Sequence, residues 1–203
     1  MVSGHGRGSN LQALIDACVS GEVPGNIELV IGTRKGAPAL DRAAAAGVTS
    51  IVLKPARSGS DQAYAAALLE ALAAHRIDLI CLAGYMRLLP SQVVTAYRWR
   101  IMNVHPALLP RFAGKGMFGS AVHHAVIESG ASESGCTVHF VDEEYDHGPI
   151  ILQERVPVLR DDTPESLAAR VLPVEHRTYT RAVRLFAQGR LKVQDGRVQV
   201  LDE

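Results

Sequence analysis

The chain has 203 residues, enough for one domain of ordinary size with a full core, and its 47% apolar and 21% charged content is that of a soluble globular protein. Lysine plus arginine equals aspartate plus glutamate at 21 each, so no global field draws the chain to nucleic acid or membrane, and any anion must be held by a local site. No apolar run approaches the roughly 18 residues of a membrane-spanning helix, and Met1-Val2-Ser3-Gly4-His5 has no signal-peptide pattern, so a cytoplasmic protein is expected.

Only Met1-Val2-Ser3 precede the first glycine, so the first strand is expected to be very short or to begin upstream. The pattern then predicts a helix over Ser9–Ser20, with Ser9 as its cap and Leu11, Leu14, Ile15 and Cys18 on one face. A strand at Ile27–Ile31 follows, then a helix over Ala39–Ala46 closed by Gly47. Ile51–Leu53 reads as a strand, Asp61–His75 as a helix and Leu79–Ala83 as a strand covered on both faces. Pro90–Tyr97 is a short helix with proline at its start, and Ile101–His105 is a further strand. Strands alternating with helices imply an α/β protein with a doubly wound, mostly parallel sheet. Beyond it, Thr137–Val141 and Ile150–Val158 read as strands joined by an acidic loop. Thr163–Gly189 reads as a helix kinked at Pro173, and Leu191–Leu201 as a hairpin turning at Asp195-Gly196. No linker or repeat interrupts residues 1–203, which read as one domain.

Three stretches carry chemistry. Gly4-His5-Gly6-Arg7-Gly8-Ser9-Asn10 is a glycine loop entering a helix, whose free N–H groups and dipole suit a phosphate. Its spacing is not the full dinucleotide fingerprint, yet Thr33-Arg34-Lys35 after the second strand could hold a 2′-phosphate, so an NADP-binding module stays open, as does a tight turn without ligand. In Asn103-Val104-His105-Pro106, the two-residue period of a strand directs Asn103 and His105 to one side, near the carboxyl end where α/β sheets bind ligands. A carboxamide beside an imidazole suits acyl transfer, although a satisfied core pair is the plainer reading. In Asp142-Glu143-Glu144-Tyr145-Asp146-His147, a carboxylate could reach His105 and raise its pKa; composition does not say which one, and a solvated turn is the alternative. A metal hydrolase built on His105, His123, His139 and Asp146 lacks any recognised ligand spacing, so no metal is expected. Cys18, Cys81 and Cys136 are odd in number and scattered, and read as reduced, packed thiols.

Taken together, the chain resembles the phosphoribosylglycinamide formyltransferase family. The likeness rests on Gly8-Ser9-Asn10-Leu11-Gln12-Ala13-Leu14-Ile15, Leu82-Ala83-Gly84-Tyr85-Met86-Arg87-Leu88-Leu89 and Asn103-Val104-His105-Pro106-Ala107-Leu108-Leu109-Pro110. It continues through Gly114-Lys115-Gly116-Met117-Phe118-Gly119, Gly135-Cys136-Thr137-Val138-His139-Phe140-Val141, Asp146-His147-Gly148-Pro149-Ile150-Ile151, Asp162-Thr163-Pro164-Glu165-Ser166-Leu167 and Glu175-His176. The resemblance implies a Rossmann-like formyltransferase fold ending in a helix and hairpin. It implies transfer of a formyl group from 10-formyltetrahydrofolate to the amine of glycinamide ribonucleotide in purine synthesis, without a metal. Gly8, Ser9 and Asn10 would then bind the ribonucleotide phosphate, with Glu175 near the glycinamide. Met86, Arg87, Leu88 and Leu89, together with Asn103 and the loop Asp142, Glu143, Glu144, Tyr145 and Asp146, would border the folate. Asn103 and protonated His105 would stabilise the oxyanion, with Asp146 tuning His105 and assisting proton transfer. Two features depart from the family pattern: the first strand is nearly absent with a glycine loop two residues longer, and Asp61 stands near where many members carry a basic residue a few positions before a tyrosine, here Tyr64. The partners implied are small molecules, with neither nucleic acid nor membrane, and a homodimer is allowed. A formyltetrahydrofolate hydrolase shares the same centre and is the related alternative.

Overall fold

A computed structural model describes residues 1–3, 6–55 and 60–202, so Gly4 and His5 of the glycine loop lie outside the described residues. The chain divides into two compact units, Met1–Met102 and Asn103–Glu203.

In the first unit, β1 (Val30–Gly32) pairs in parallel with β2 (Ser50–Val52), Val30 opposite Ser50. The expected short first strand is present as a segment of three residues. Val2 bridges Gly32 in parallel, and its N–H donates to the Ile31 carbonyl at 2.9 Å. On its other side the Ala83 N–H donates to the Met1 carbonyl at 2.9 Å, and the Ser3 N–H to the Gly84 carbonyl at 3.1 Å. Met1–Ser3 therefore links β1 to the end of β3 (Ile80–Leu82). β3 in turn neighbours the start of β4 (Ile101–His105).

The helices of this unit are α1 (Ser9–Val19), α2 (Pro38–Ala45), α3 (Asp61–Ala74) and α4 (Ser91–Ala96). Val2, Val30 and Ala83 form a floor on which Leu11 and Ile15 of α1 and Ala39 and Ala43 of α2 are buried. Small residues on α2 let the two helices share that floor. Ser60 caps α3 by accepting from the Ala63 N–H at 3.1 Å, satisfying a donor that the helix itself cannot. Ser9 does not cap α1: the cap position falls to Gly8, at φ 72°, and Ser9 opens the helix. A left-handed cap favours glycine over serine, which explains the one-residue difference.

In the second unit the remainder of β4 neighbours β5 (Glu133–Phe140), which pairs antiparallel with β6 (Ile150–Pro157), Glu133 opposite Pro157. α5 (Ser120–Glu128) packs on α6 (Pro164–Ala187), which also covers β5 and β6. A reciprocal cap between Thr163 and Ser166 starts α6, which runs without interruption through Pro173. β7 (Leu191–Gln194) and β8 (Arg197–Val200) close the predicted hairpin. Its turn residues Asp195 and Gly196 have φ of 51° and 71°, as a two-residue turn of this hand requires. The parallel strands with their helices make the α/β class, and the antiparallel β5–β6 pair makes the sheet mixed. Among the described residues no helix is long and apolar enough to cross a membrane.

Leu68 of α3 is fully buried. Leu68→Ala is expected to cost about 2–5 kcal/mol. A lower urea midpoint at unchanged slope is the readout, and an unchanged midpoint would contradict this core assignment.

Candidate active site

β4 brings Asn103 and His105 out on one side, and the loop between β5 and β6 carries a carboxylate to meet them. Asp146 Oδ1 lies 3.4 Å from Asn103 Nδ2 and 3.5 Å from His105 Nδ1. Its other oxygen accepts the Gly114 N–H at 3.1 Å. All of these residues belong to the second unit.

The acidic loop is built to turn this one carboxylate inward. Its base closes through the Phe140 N–H, which donates to the Pro149 carbonyl at 2.9 Å. Gly148 must be glycine there, because a Cβ would fall 2.0 Å from the Phe140 carbonyl oxygen. Asp142 is occupied in shaping the loop: one oxygen accepts the Glu144 N–H at 3.0 Å and the other pairs with His147 Nδ1 at 2.7 Å, which raises the His147 pKa. Glu143 and Glu144 are exposed and Tyr145 is half-buried. Asp146 sits in left-handed backbone at φ 53°, a conformation that aspartate tolerates better than most residues.

The partners fix the protons. A carbonyl only accepts, so His105 Nε2 carries the hydrogen that it shares with the Phe112 carbonyl at 2.9 Å, leaving Nδ1 towards Asp146. Phe112 is itself left-handed, at φ 58°. By the same logic His139 Nδ1–H donates to the Phe140 carbonyl at 2.8 Å, so its Nε2 accepts from Asn103 Nδ2 at 3.2 Å. The two hydrogens of the Asn103 amide therefore serve His139 and Asp146. His139 Nε2 to Asp146 is 3.8 Å, too long for a hydrogen bond.

As the sequence predicts, a carboxylate acts to raise the His105 pKa, yet the net shift is downward. Burial outweighs the Asp146 charge and the Phe112 carbonyl, and His105 is held below the ordinary histidine value. Burial pushes the Asp146 carboxyl up, but the polar groups around it, the Gly114 N–H among them, hold it below the usual carboxylate range.

Sequence reading names His139 only as a candidate metal ligand and gives Thr137 no role. Both side chains, two residues apart on β5, serve the centre. Thr137 Oγ1 donates to the Ala107 carbonyl at 2.7 Å and accepts the Leu109 N–H at 3.0 Å, fixing the chain that follows His105. The two-residue strand period that selects Asn103 and His105 also selects this pair.

The other predicted site residues are distributed as follows. Gly8 caps α1 and Ser9 and Asn10 open it, in the first unit; Gly8 makes no side-chain cap bond and no acidic residue stands in the first turn. Met86 to Leu89 follow β3 in the same unit, with Arg87 and Leu88 exposed, Met86 half-buried and Leu89 buried. Glu175 is buried on α6 in the second unit, and its charge is felt by Cys136, whose thiol burial pushes up to about 11. Arg34 and Lys35, of the dinucleotide alternative, are exposed beyond β1. Among the described residues no group of three or more His, Cys, Asp or Glu is arranged to hold a metal ion.

Comparison with known proteins agrees across nearly the whole chain. The formyl transferase family model matches residues 1–183. The chloroplastic phosphoribosylglycinamide formyltransferase of Arabidopsis thaliana is 41% identical over 97% of this chain and 68% of its own length. The trifunctional purine biosynthetic protein adenosine-3 of Drosophila melanogaster is 44% identical over 91% of this chain, which spans 13% of that larger protein. The crystal structure of glycinamide ribonucleotide transformylase 1 from Symbiobacterium toebii superposes with a TM-score of 0.92 at 48% identity, covering 99% of this chain and 92% of that one.

Burial holds His105, His123 and His176 below the ordinary histidine value of 6.5. The unfolded chain therefore takes up protons first, and the stability contributed by these neutral rings is complete above that value and lost as pH falls below it. The urea midpoint is expected to drop between pH 7.5 and 5.5, and to drop less in His105→Gln. An equal drop in the variant would contradict the shift at His105.

Proposed function

The chain belongs to the formyl transferase family, and from that premise we propose that it transfers a formyl group from 10-formyltetrahydrofolate to the amine of glycinamide ribonucleotide. The observation that carries this reading is the convergence of Asn103 and His105 on one oxygen of Asp146. Such a set offers two neutral donors for a developing oxyanion and a carboxylate to answer the charge that builds behind them.

In this reading the substrate amine attacks the formyl carbon and the carbonyl oxygen becomes an oxyanion. Asn103 Nδ2 and His105 Nε2 donate to it, the former giving up its long bond to Asp146 and the latter exchanging the Phe112 carbonyl for the oxyanion. In this reading His105 is neutral before the substrates bind, since burial holds its pKa below the ordinary histidine value, and a neutral ring still carries the Nε2 hydrogen that the oxyanion needs. As negative charge develops, Nδ1, which faces Asp146, can hold the proton in transit from the attacking amine to N10. Collapse breaks the bond from carbon to N10 of the folate. N10 gains a proton and the new amide nitrogen loses one, through water held at Asp146. Gly8, Ser9 and Asn10 hold the ribonucleotide phosphate at the positive end of α1, where its first N–H groups have no intrahelical acceptor. Glu175 faces the glycinamide, while Met86–Leu89 and Asp142–Asp146 border the pterin. Holding both substrates together supplies much of the remaining acceleration.

The test is deformylation of 10-formyltetrahydrofolate followed by absorbance, with and without the ribonucleotide. Release that requires the ribonucleotide is the expected result. Release without it would indicate a hydrolase, and NADPH binding with no release would favour the dinucleotide-binding module. His105→Ala is expected to abolish turnover while the circular dichroism spectrum is retained. Asn103→Ala is expected to lower kcat by about 10²–10³, the usual effect of losing one oxyanion donor. Retained turnover in either variant would contradict these roles.

A further inference from the structure

Arg7 and Gly8, at the helix end of the glycine loop, are held from the side by α2. Arg42 lies in the last turn of that helix, where an arginine ordinarily answers its own helix dipole. Here the guanidinium reaches across to the other helix. Its Nε donates to the Arg7 carbonyl at 2.8 Å and its Nη1 to Gln12 Oε1 at 3.2 Å. Arg7 stands before the Gly8 cap, and Gln12 makes the first bond of α1, its N–H donating to the Gly8 carbonyl at 3.0 Å. The Gln12 amide is itself anchored, donating to Asp16 Oδ1 at 2.8 Å. One planar fork thus grips both sides of the cap.

Packing reinforces the grip. A Cβ on Gly8 would lie 2.9 Å from the Ala39 Cα and Cβ and 3.2 Å from Arg42 Cδ. The cap is therefore seated against α2 with no room to shift towards it, and Ala39 is buried beneath. Gly8, the cap residue, has no side chain to bond the first N–H groups of α1, so this seat helps to set their direction.

We propose that Arg42 is a positioning residue for anion binding at Gly8–Asn10: it fixes the loop so that the N–H groups of the first turn converge on a phosphate. The inference rests on the reading of Gly8–Asn10 as the phosphate site. It assigns Arg42 a geometric role, distinct from a general attraction of its charge for the ligand. Lysine cannot reproduce that role, since it has no fork to bond Arg7 and Gln12 at once.

The experiment measures KM for glycinamide ribonucleotide and for 10-formyltetrahydrofolate, with kcat, in Arg42→Ala, Arg42→Lys, Gln12→Ala and Asn10→Ala, alongside the thermal midpoint of each. Calorimetric binding of the ribonucleotide alone provides a readout independent of turnover. Arg42→Ala is expected to raise the ribonucleotide KM by about tenfold, the scale of one charge-assisted hydrogen bond, with kcat and the folate KM held within about twofold. Arg42→Lys is expected to behave like the alanine variant, and Gln12→Ala to move the same constant in the same direction. A lysine variant that restores wild-type affinity overturns the proposal, because charge alone would then suffice. Equal loss in kcat and both KM values also overturns it, since that pattern indicates general unfolding. If Arg42→Ala does not fold, the Gln12→Ala result decides by the same criteria. If Asn10→Ala weakens the ribonucleotide and the Arg42 and Gln12 variants do not, this inference fails alone. If none of them does, the phosphate-site reading fails with it.

Discussion

The carboxylate of Asp146 is the tie on which the candidate centre depends. One oxygen is shared by the amide of Asn103 and the Nδ1 side of His105, and the other is held by the backbone of Gly114. Three separate segments of chain meet there: a strand end, the turn of the acidic loop, and the glycine-bearing loop beyond Pro110. The Gly114 contact and the Phe112 carbonyl that receives His105 Nε2 come from that last segment. A shift in this segment would therefore disturb both the base of the carboxylate and the far side of the imidazole.

Two residues that build this tie adopt backbone conformations that side chains resist. Asp146 has φ 53° and Phe112 has φ 58°. Aspartate visits that region with some ease, whereas for a residue as bulky as phenylalanine the cost is of order 1–3 kcal/mol. Surrounding contacts sustain it: Phe112 keeps its carbonyl on a buried ring, and Asp146 keeps its carboxylate turned inward by the loop that Gly148 allows to close. Strain gathered at the meeting point of three segments is consistent with a site whose geometry matters more than its local stability.

Much of this was legible in the chain because it follows from local rules. β4 spans Ile101–His105, and the period of a strand sends Asn103 and His105 the same way. The Asp195-Gly196 turn follows from its dipeptide. What sequence could not supply was non-local. Four carboxylates stand in the acidic loop, and only the folded turn shows that Asp142 is occupied with Glu144 and His147 while Asp146 faces inward. The direction of the His105 shift depends on a balance between burial and one nearby charge, and neighbours distant in sequence set the burial. The pairing of the short first strand is equally non-local, since its hydrogen bonds come from Ile31 and Ala83. The pattern of β5 presents His139 as a candidate ligand, whereas its tautomer in the fold makes it an acceptor for Asn103.

The coupling between Asp146 and His105 can be read directly from the ¹⁵N resonances of the imidazole rings as a function of pH, in the wild type and in Asp146→Asn. The Asp146 charge favours the protonated ring while burial opposes it, so removing the charge leaves burial less opposed. The account predicts a neutral His105 with its hydrogen on Nε2 at pH 7.5, and a pKa that falls further in the variant. An unchanged or higher His105 pKa in Asp146→Asn, or a hydrogen resident on Nδ1 in the wild type, would contradict it.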